Sequence, residues 1–189
     1  FNTKYVLANE KTATDKDLLY IDRVIAHEYF HNWTGNRVTL RDWFQLSLKE
    51  GLTVFRDQLY GEDRYDAGVQ RIQEVKSLRM HQFAEDSSPM AHPVRPKLYK
   101  EINNFYTSTI YEKGAEIIRM ICLLLGKENF TKSIKYYLDK LDGKAATIEE
   151  FLNSISEYSE KNFSNFINWY NRAGTPVVKV DYLYNESKK

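Results

Sequence analysis

His27-Glu28-Tyr29-Phe30-His31, followed further along by Glu50, constrains this chain more than any other feature. Two histidines four apart on a helix leave from one face, so both imidazoles reach a single metal ion. Zinc centres that perform hydrolysis take three protein ligands and keep a fourth position for water. His27, His31 and Glu50 make such a set, and Glu28 is left beside the metal to act as general base on the water. Zinc brings the pKa of water from about 15.7 toward ~7, within reach of a nearby carboxylate at neutral pH. Two neutral histidines and one carboxylate leave the ion a good Lewis acid. A closed site of four thiolates is excluded, since Cys122 is the only cysteine. A bare H-E-x-x-H also occurs on solvated helices; here its apolar neighbours and the carboxylate downstream favour the metal reading.

The site imposes an architecture. A helix predicted over Asp15–Trp33 starts where Thr14 and Asp17 have capping-box spacing, and Leu18, Ile21, Val24, Ile25 and Tyr29 give it an apolar face. Thr34-Gly35-Asn36 is a stop signal, with Gly35 suited to a left-handed position. After a short, extended Arg37–Thr39, a second helix over Asp42–Tyr60 carries Glu50, so a helical hairpin turns it toward the histidines. Further helices are expected over Arg64–Phe83, Thr107–Leu125, Glu128–Leu141, Ile148–Tyr158 and Ser164–Ala173. Residues 1–14 read as extended or loop, and residues 84–97 hold three of the four prolines and read as irregular. Val177–Tyr184 alternates in the manner of a strand.

Hydrophobic residues at 42% and charged residues at 28% describe an ordinary globular chain, and 27 basic against 26 acidic residues give a net charge of +1. No nucleic-acid surface is expected from that balance. The most apolar run, Met120–Leu125, is far shorter than the ~20 residues that span a bilayer, so no membrane partner is expected. One cysteine fits a reducing compartment, which places the chain in the cytoplasm; a monomer is the expected state. The chain opens Phe1-Asn2-Thr3, without an initiator methionine or a signal-like stretch.

VIAHEYFHNWTGNRVTLRDWFQLSLKEGLTVFRDQ, Val24–Gln58, closely resembles the aminopeptidase N family of zinc metallopeptidases, a gluzincin family, and its bacterial alanyl aminopeptidase branch most of all. FNTKYVLANEKTATD at the start, SSPMAHPVRP at Ser87–Pro96 and NNFYTSTIYEKGAEIIRM at Asn103–Met120 resemble the same branch. The resemblance implies one zinc ion held by His27, His31 and Glu50, with Glu28 as general base. It implies further that Tyr111 stabilises the tetrahedral oxyanion and that Tyr106 lines the pocket for the substrate's first side chain. Nothing in composition or spacing singles Tyr111 out of 14 tyrosines. The implied substrates are peptides with a free amino terminus. The implied fold is mainly α: the helical lobe of a thermolysin-like zinc peptidase catalytic domain, with a short β segment at its C-terminal end. Residues 1–174 would be that domain in part, and residues 175–189 the start of a following β-domain.

One departure stands out. The family's Gly-Ala-Met-Glu-Asn motif, whose glutamate binds the substrate's α-amine, occurs nowhere in this sequence. The expectation is therefore an excised portion of a catalytic domain: an aminopeptidase, or a piece that binds zinc but is incompetent alone. A thermolysin-type endopeptidase shares the same ligand pattern.

Other residues carry weaker expectations. Arg23 and Val24 share the face of His27, where such positions more often pack than border the substrate site. Asp57, seven residues after Glu50, either orients a ligand histidine or sits solvated beside Arg56 or a lysine. His81 and His92 read as structural, Cys122 as core, and Lys188-Lys189 as a solvated end.

Overall fold

The capping box at Thr14 forms as the sequence predicts. Thr14 Oγ1 accepts from the Asp17 amide at 3.2 Å, and Asp17 Oδ2 accepts from the Thr14 amide at 3.0 Å. The computed structural model describes residues 3–188, so Phe1, Asn2 and Lys189 lie outside it; the solvated end expected at Lys188-Lys189 rests on side chains that are not described. A single turn, α1 (Thr3–Val6), interrupts the expected loop before α2 (Asp15–Phe30). Helix α2 stops three residues short of its predicted end, because the chain must reverse. Asn36 N donates to His31 O and Val38 N to Trp33 O, and Gly35 adopts φ +129° against the Lys49 side chain. A side chain at position 35 would be strained and would collide with Lys49.

Strand β1 (Thr39–Leu40) pairs in parallel with β2 (Ala145–Ala146). A 3-10 turn at Trp43–Gln45, capped by Asp42, leads into α3 (Leu46–Arg64). The single helix expected over Arg64–Phe83 is divided. Helix α3 runs on to Arg64, and Asp66 caps a separate α4 (Ala67–Ser77) by accepting from the Val69 amide. A π-helical turn at Leu78–Gln82 then joins α5 (Phe83–Asp86), which carries helix past the predicted boundary.

The proline segment is irregular but tied down. Val94 is fully buried, Arg95 N donates to Tyr170 O, and Arg95 Nη1 pairs with Glu149. The helix expected over Thr107–Leu125 begins as a π turn, Thr109–Lys113, and continues as α6 (Gly114–Leu125). Gly126, at φ +78°, separates it from α7 (Lys127–Lys140). Helices α8 (Ile148–Ser159), with a Thr147–Glu150 capping box, and α9 (Ile167–Asn171) follow.

The alternating Val177–Tyr184 forms no strand. Its apolar side chains are exposed, because alternation becomes a strand only when a neighbouring edge accepts its hydrogen bonds. The only ladder among the described residues is β1 with β2.

The core gathers where α3, α6, α7 and α8 meet. Phe55 packs edge-on against Phe130 and Tyr137 against Phe151, over Ile117, Ile118, Ile121 and Ile155. Each of these side chains stabilises the fold by roughly 1.5–3 kcal/mol through burial. No helix among the described residues is long and apolar enough to cross a membrane.

Helices α3 and α6 approach so closely that only glycine fits at their crossing. A Cβ on Gly51 would lie 2.8 Å from the Gly114 carbonyl carbon, and one on Gly114 would lie 2.2 Å from Ser47 Oγ. Ser47 Oγ also donates to Ile110 O at 2.9 Å, which holds the Tyr111 turn against the helix that carries Glu50. Gly51→Ala is expected to cost about 1–3 kcal/mol by overpacking against backbone that cannot yield. Denaturant unfolding would show it as a lowered midpoint; an unchanged midpoint would contradict the close crossing.

Candidate metal centre

Helices α2 and α3 run antiparallel, and the residues that matter fall on their facing sides at helical spacing. On α2 these are Arg23 and His27, with His31 as its C-cap; on α3 they are Glu50, Thr53 and Asp57. The hairpin brings the first turn of one against the last turn of the other, so each histidine meets an α3 carboxylate.

Three donor atoms converge. His27 Nε2 lies 3.1 Å from His31 Nε2 and 3.3 Å from Glu50 Oε2, and His31 Nε2 lies 3.4 Å from the same oxygen. These are the only His, Cys, Asp or Glu side chains that cluster in this way among the described residues. Donors at ~2.0–2.1 Å around a tetrahedral zinc ion are separated from each other by roughly 3.3 Å. The two-histidine, one-carboxylate set therefore fits zinc in both chemistry and spacing.

The rings are held from behind. His27 Nδ1 lies 2.9 Å from Asp57 Oδ2, and His31 Nδ1 lies 2.9 Å from Thr34 O and 3.2 Å from Thr53 Oγ1. Such contacts fix the tautomer and aim both Nε2 atoms at the point where the three donors converge. Asp57 is thus buried against His27 and is not a solvated charge beside Arg56, whose guanidinium instead sits over the Phe30 ring.

Electrostatically the centre calls for positive charge. Burial disfavours a charged His27, yet hydrogen bonds and charges from Asp57 and Glu50 outweigh it and push the pKa up to about 9. Burial likewise works to raise the Glu50 pKa, but the two imidazoles and Lys49 hold it down at about 2.

Glu28 is exposed and has no hydrogen bond or ion pair among the described residues. At about 100° per residue, it projects roughly 60° from the direction of His31, flanking the ligand face. Tyr111 lies on the π turn held over Glu50. Burial raises its hydroxyl pKa most, and the charge of the Glu50 carboxylate, with which the hydroxyl interacts, raises it further. It stays a protonated donor at neutral pH. Tyr106 follows the 3-10 turn Ile102–Phe105 and is over half exposed, with its ring 6.4 Å from that of Tyr111. The neighbouring Glu112 is pushed up to about 7, mainly by burial, with Glu85 and Asp57 adding repulsion.

Sequence reasoning missed Thr53 and the Thr34 carbonyl. Thr53 stands one turn beyond Glu50, a signal that was available; a backbone carbonyl has no sequence signal. His81 is exposed, His92 Nδ1 bonds to Pro93 O, and Cys122 is a free, half-buried thiol packed at the edge of the core.

A profile of the peptidase family M1 domain matches residues 1–170. The chain belongs to peptidase family M1. It is 60% identical to Aminopeptidase N of Escherichia coli strain K12 over 185 residues, which is 98% of this chain and 21% of that protein. Aminopeptidase N of Haemophilus influenzae is 57% identical, with the same coverage. The crystal structure of Legionella pneumophila aminopeptidase A in complex with aspartic acid superposes with a TM-score of 0.81 at 36% identity, covering 92% of this chain and 19% of that one. An M1 zinc metallopeptidase from Deinococcus radiodurans shares the fold, with a TM-score of 0.64 at 20% identity over 82% of this chain and 34% of its own. This M1 chain spans about a fifth of the length of the curated relatives it matches.

Proposed function

We propose that this chain is the metal-binding helical lobe of a zinc-dependent aminopeptidase, and that the convergence of His27, His31 and Glu50 is its zinc site. The mutual spacing of those three donor atoms carries the reading, supported by membership of peptidase family M1. On this reading residues 1–174 belong to one catalytic domain and residues 175–189 open the next. The absence of any disulfide fits a reducing compartment, and we place the reaction in the cytoplasm.

His27 and His31 would hold the ion as neutral ligands aimed by Asp57, Thr34 and Thr53, and Glu50 would supply the single ligand charge. Zinc, when bound, supplies a Lewis acid that makes water acidic enough to lose a proton near neutral pH and polarises a carbonyl. Glu28 accepts the proton of the attacking water and returns it to the departing amine. Its exposure and lack of partners leave the carboxylate available for both transfers. Tyr111 donates its hydroxyl hydrogen to the negative charge that develops on the carbonyl oxygen, a contribution of about 3–4 kcal/mol in comparable sites. Tyr106, exposed beside it, offers an aromatic wall to the substrate's first side chain.

The intact protein is expected to release the first residue of a peptide with a free amino terminus and to leave its N-acetylated counterpart uncut. Chromatography of the products separates the two cases. Internal cleavage of the acetylated peptide would identify a thermolysin-type endopeptidase instead.

A further inference from the structure

The structure assigns Arg23 a role that a substrate-lining residue would not have. We propose that it is a positioning residue for the metal centre, clamping Asp57 so that Asp57 in turn holds the His27 ring on the ion. The inference rests on the zinc reading above and adds a residue to it.

The geometry is a bridge. Asp57 projects from α3 toward α2, where Arg23 and His27 stand one turn apart on the same face. One carboxylate oxygen, Oδ2, lies 2.9 Å from His27 Nδ1, and the other, Oδ1, accepts from Arg23 Nη2. Both oxygens of a buried side chain are thus engaged by neighbours on a single helix. With Arg23 absent, the carboxylate would keep one partner and regain rotation about its terminal bond. The direction of the imidazole depends on that bond.

Arg23 is itself confined. Its stem passes over Gly61, where a Cβ would lie 3.6 Å from Cδ, and Nη1 lies 3.9 Å from Glu74 Oε1 on α4. Glu74 is buried and also accepts from Arg119 Nη2 on α6 at 3.2 Å. The position of the guanidinium therefore depends on three helices besides its own. Its two terminal nitrogens face Asp57 and Glu74, which leaves no forked end free for a peptide. Arginine suits this place because its planar fork addresses two carboxylates at fixed angles, as an ammonium group cannot.

Partners behind a metal-binding histidine are worth 10–100-fold in metal affinity. The test measures zinc affinity by chelator competition on the intact, folded protein for the parent, Arg23→Met, Arg23→Lys, Asp57→Asn and the Arg23→Met/Asp57→Asn double variant. Arg23→Met is expected to weaken zinc binding by roughly 10-fold, with Arg23→Lys recovering part of the loss. The double variant should bind zinc no more weakly than Asp57→Asn alone, since Arg23 acts only through that carboxylate. Asp86→Asn serves as the control: it breaks a buried ion pair to Lys113 away from the ligands, at 2.6 Å, and should lower stability with zinc affinity unchanged. Parental affinity in Arg23→Met, fully additive losses in the double variant, or an equal loss in Asp86→Asn would each overturn the proposal. Should Arg23→Met fail to fold, Arg23→Lys and the Asp57→Asn background still decide it. A parent protein that takes up no zinc would instead remove the metal reading beneath it.

Discussion

Glu28→Gln is expected to lower kcat by about 10²–10⁴-fold while zinc content and stability stay at parental values. The size follows from what a positioned base contributes to proton transfer in a transition state. Glutamine keeps the shape and hydrogen-bonding reach of glutamate, but it cannot take a proton from water. The selectivity follows from the structure. Glu28 is not one of the converging donors, and it is exposed with no partner among the described residues. Its replacement therefore disturbs neither the ligand set nor the packing, and surface changes of that kind stay within about ±0.5 kcal/mol. Steady-state kinetics on an aminoacyl nitroanilide, with zinc measured on the same sample, separates the two effects. Turnover at the parental rate would mean that another group moves the proton.

His31→Ala is expected to act in the opposite way, on the metal first and on the chemistry through it. It deletes one of three donors, so affinity should fall by more than the 10–100-fold that follows loss of an outer partner. It also removes the partner of the Thr34 carbonyl and one contact of the Thr53 hydroxyl, both buried. Leaving such groups underused costs about 1–3 kcal/mol even without zinc. Chelation of the parent should abolish hydrolysis, and added zinc should restore it. The same zinc should not rescue His31→Ala.

The parts of the fold that were legible in the sequence are those set by local chemistry. Thr14 and Asp17 cap α2 through their own backbone, and Gly35 and Gly126 take the positive φ their positions demand. The placement of His27 and His31 side by side was legible for the same reason, since their spacing is a property of one helix. What was not legible depends on distant partners. The break expected between Tyr60 and Arg64 falls instead at Tyr65 and Asp66, where Asp66 caps the start of α4. The π turn that presents Tyr111 is held by Glu85, which accepts from both the amide and the hydroxyl of Thr109, and by the Ser47 bond to Ile110. Neither contact is visible within the turn's own residues. The expected strand at Val177–Tyr184 failed for the complementary reason: its pattern was correct for a strand, but no described edge pairs with it. Arg23 was read on the face of His27, as a packing residue or a border of the substrate site, because spacing places a residue on a face without naming what it touches there.

The central claim is that His27, His31 and Glu50 form one zinc site, and elemental mass spectrometry of the purified protein tests it most directly. About one zinc per chain in the parent, lost in His31→Ala while the fold persists, is the predicted result. A folded parent that takes up no zinc after supplementation, or a His31→Ala protein that keeps its full zinc, would contradict it.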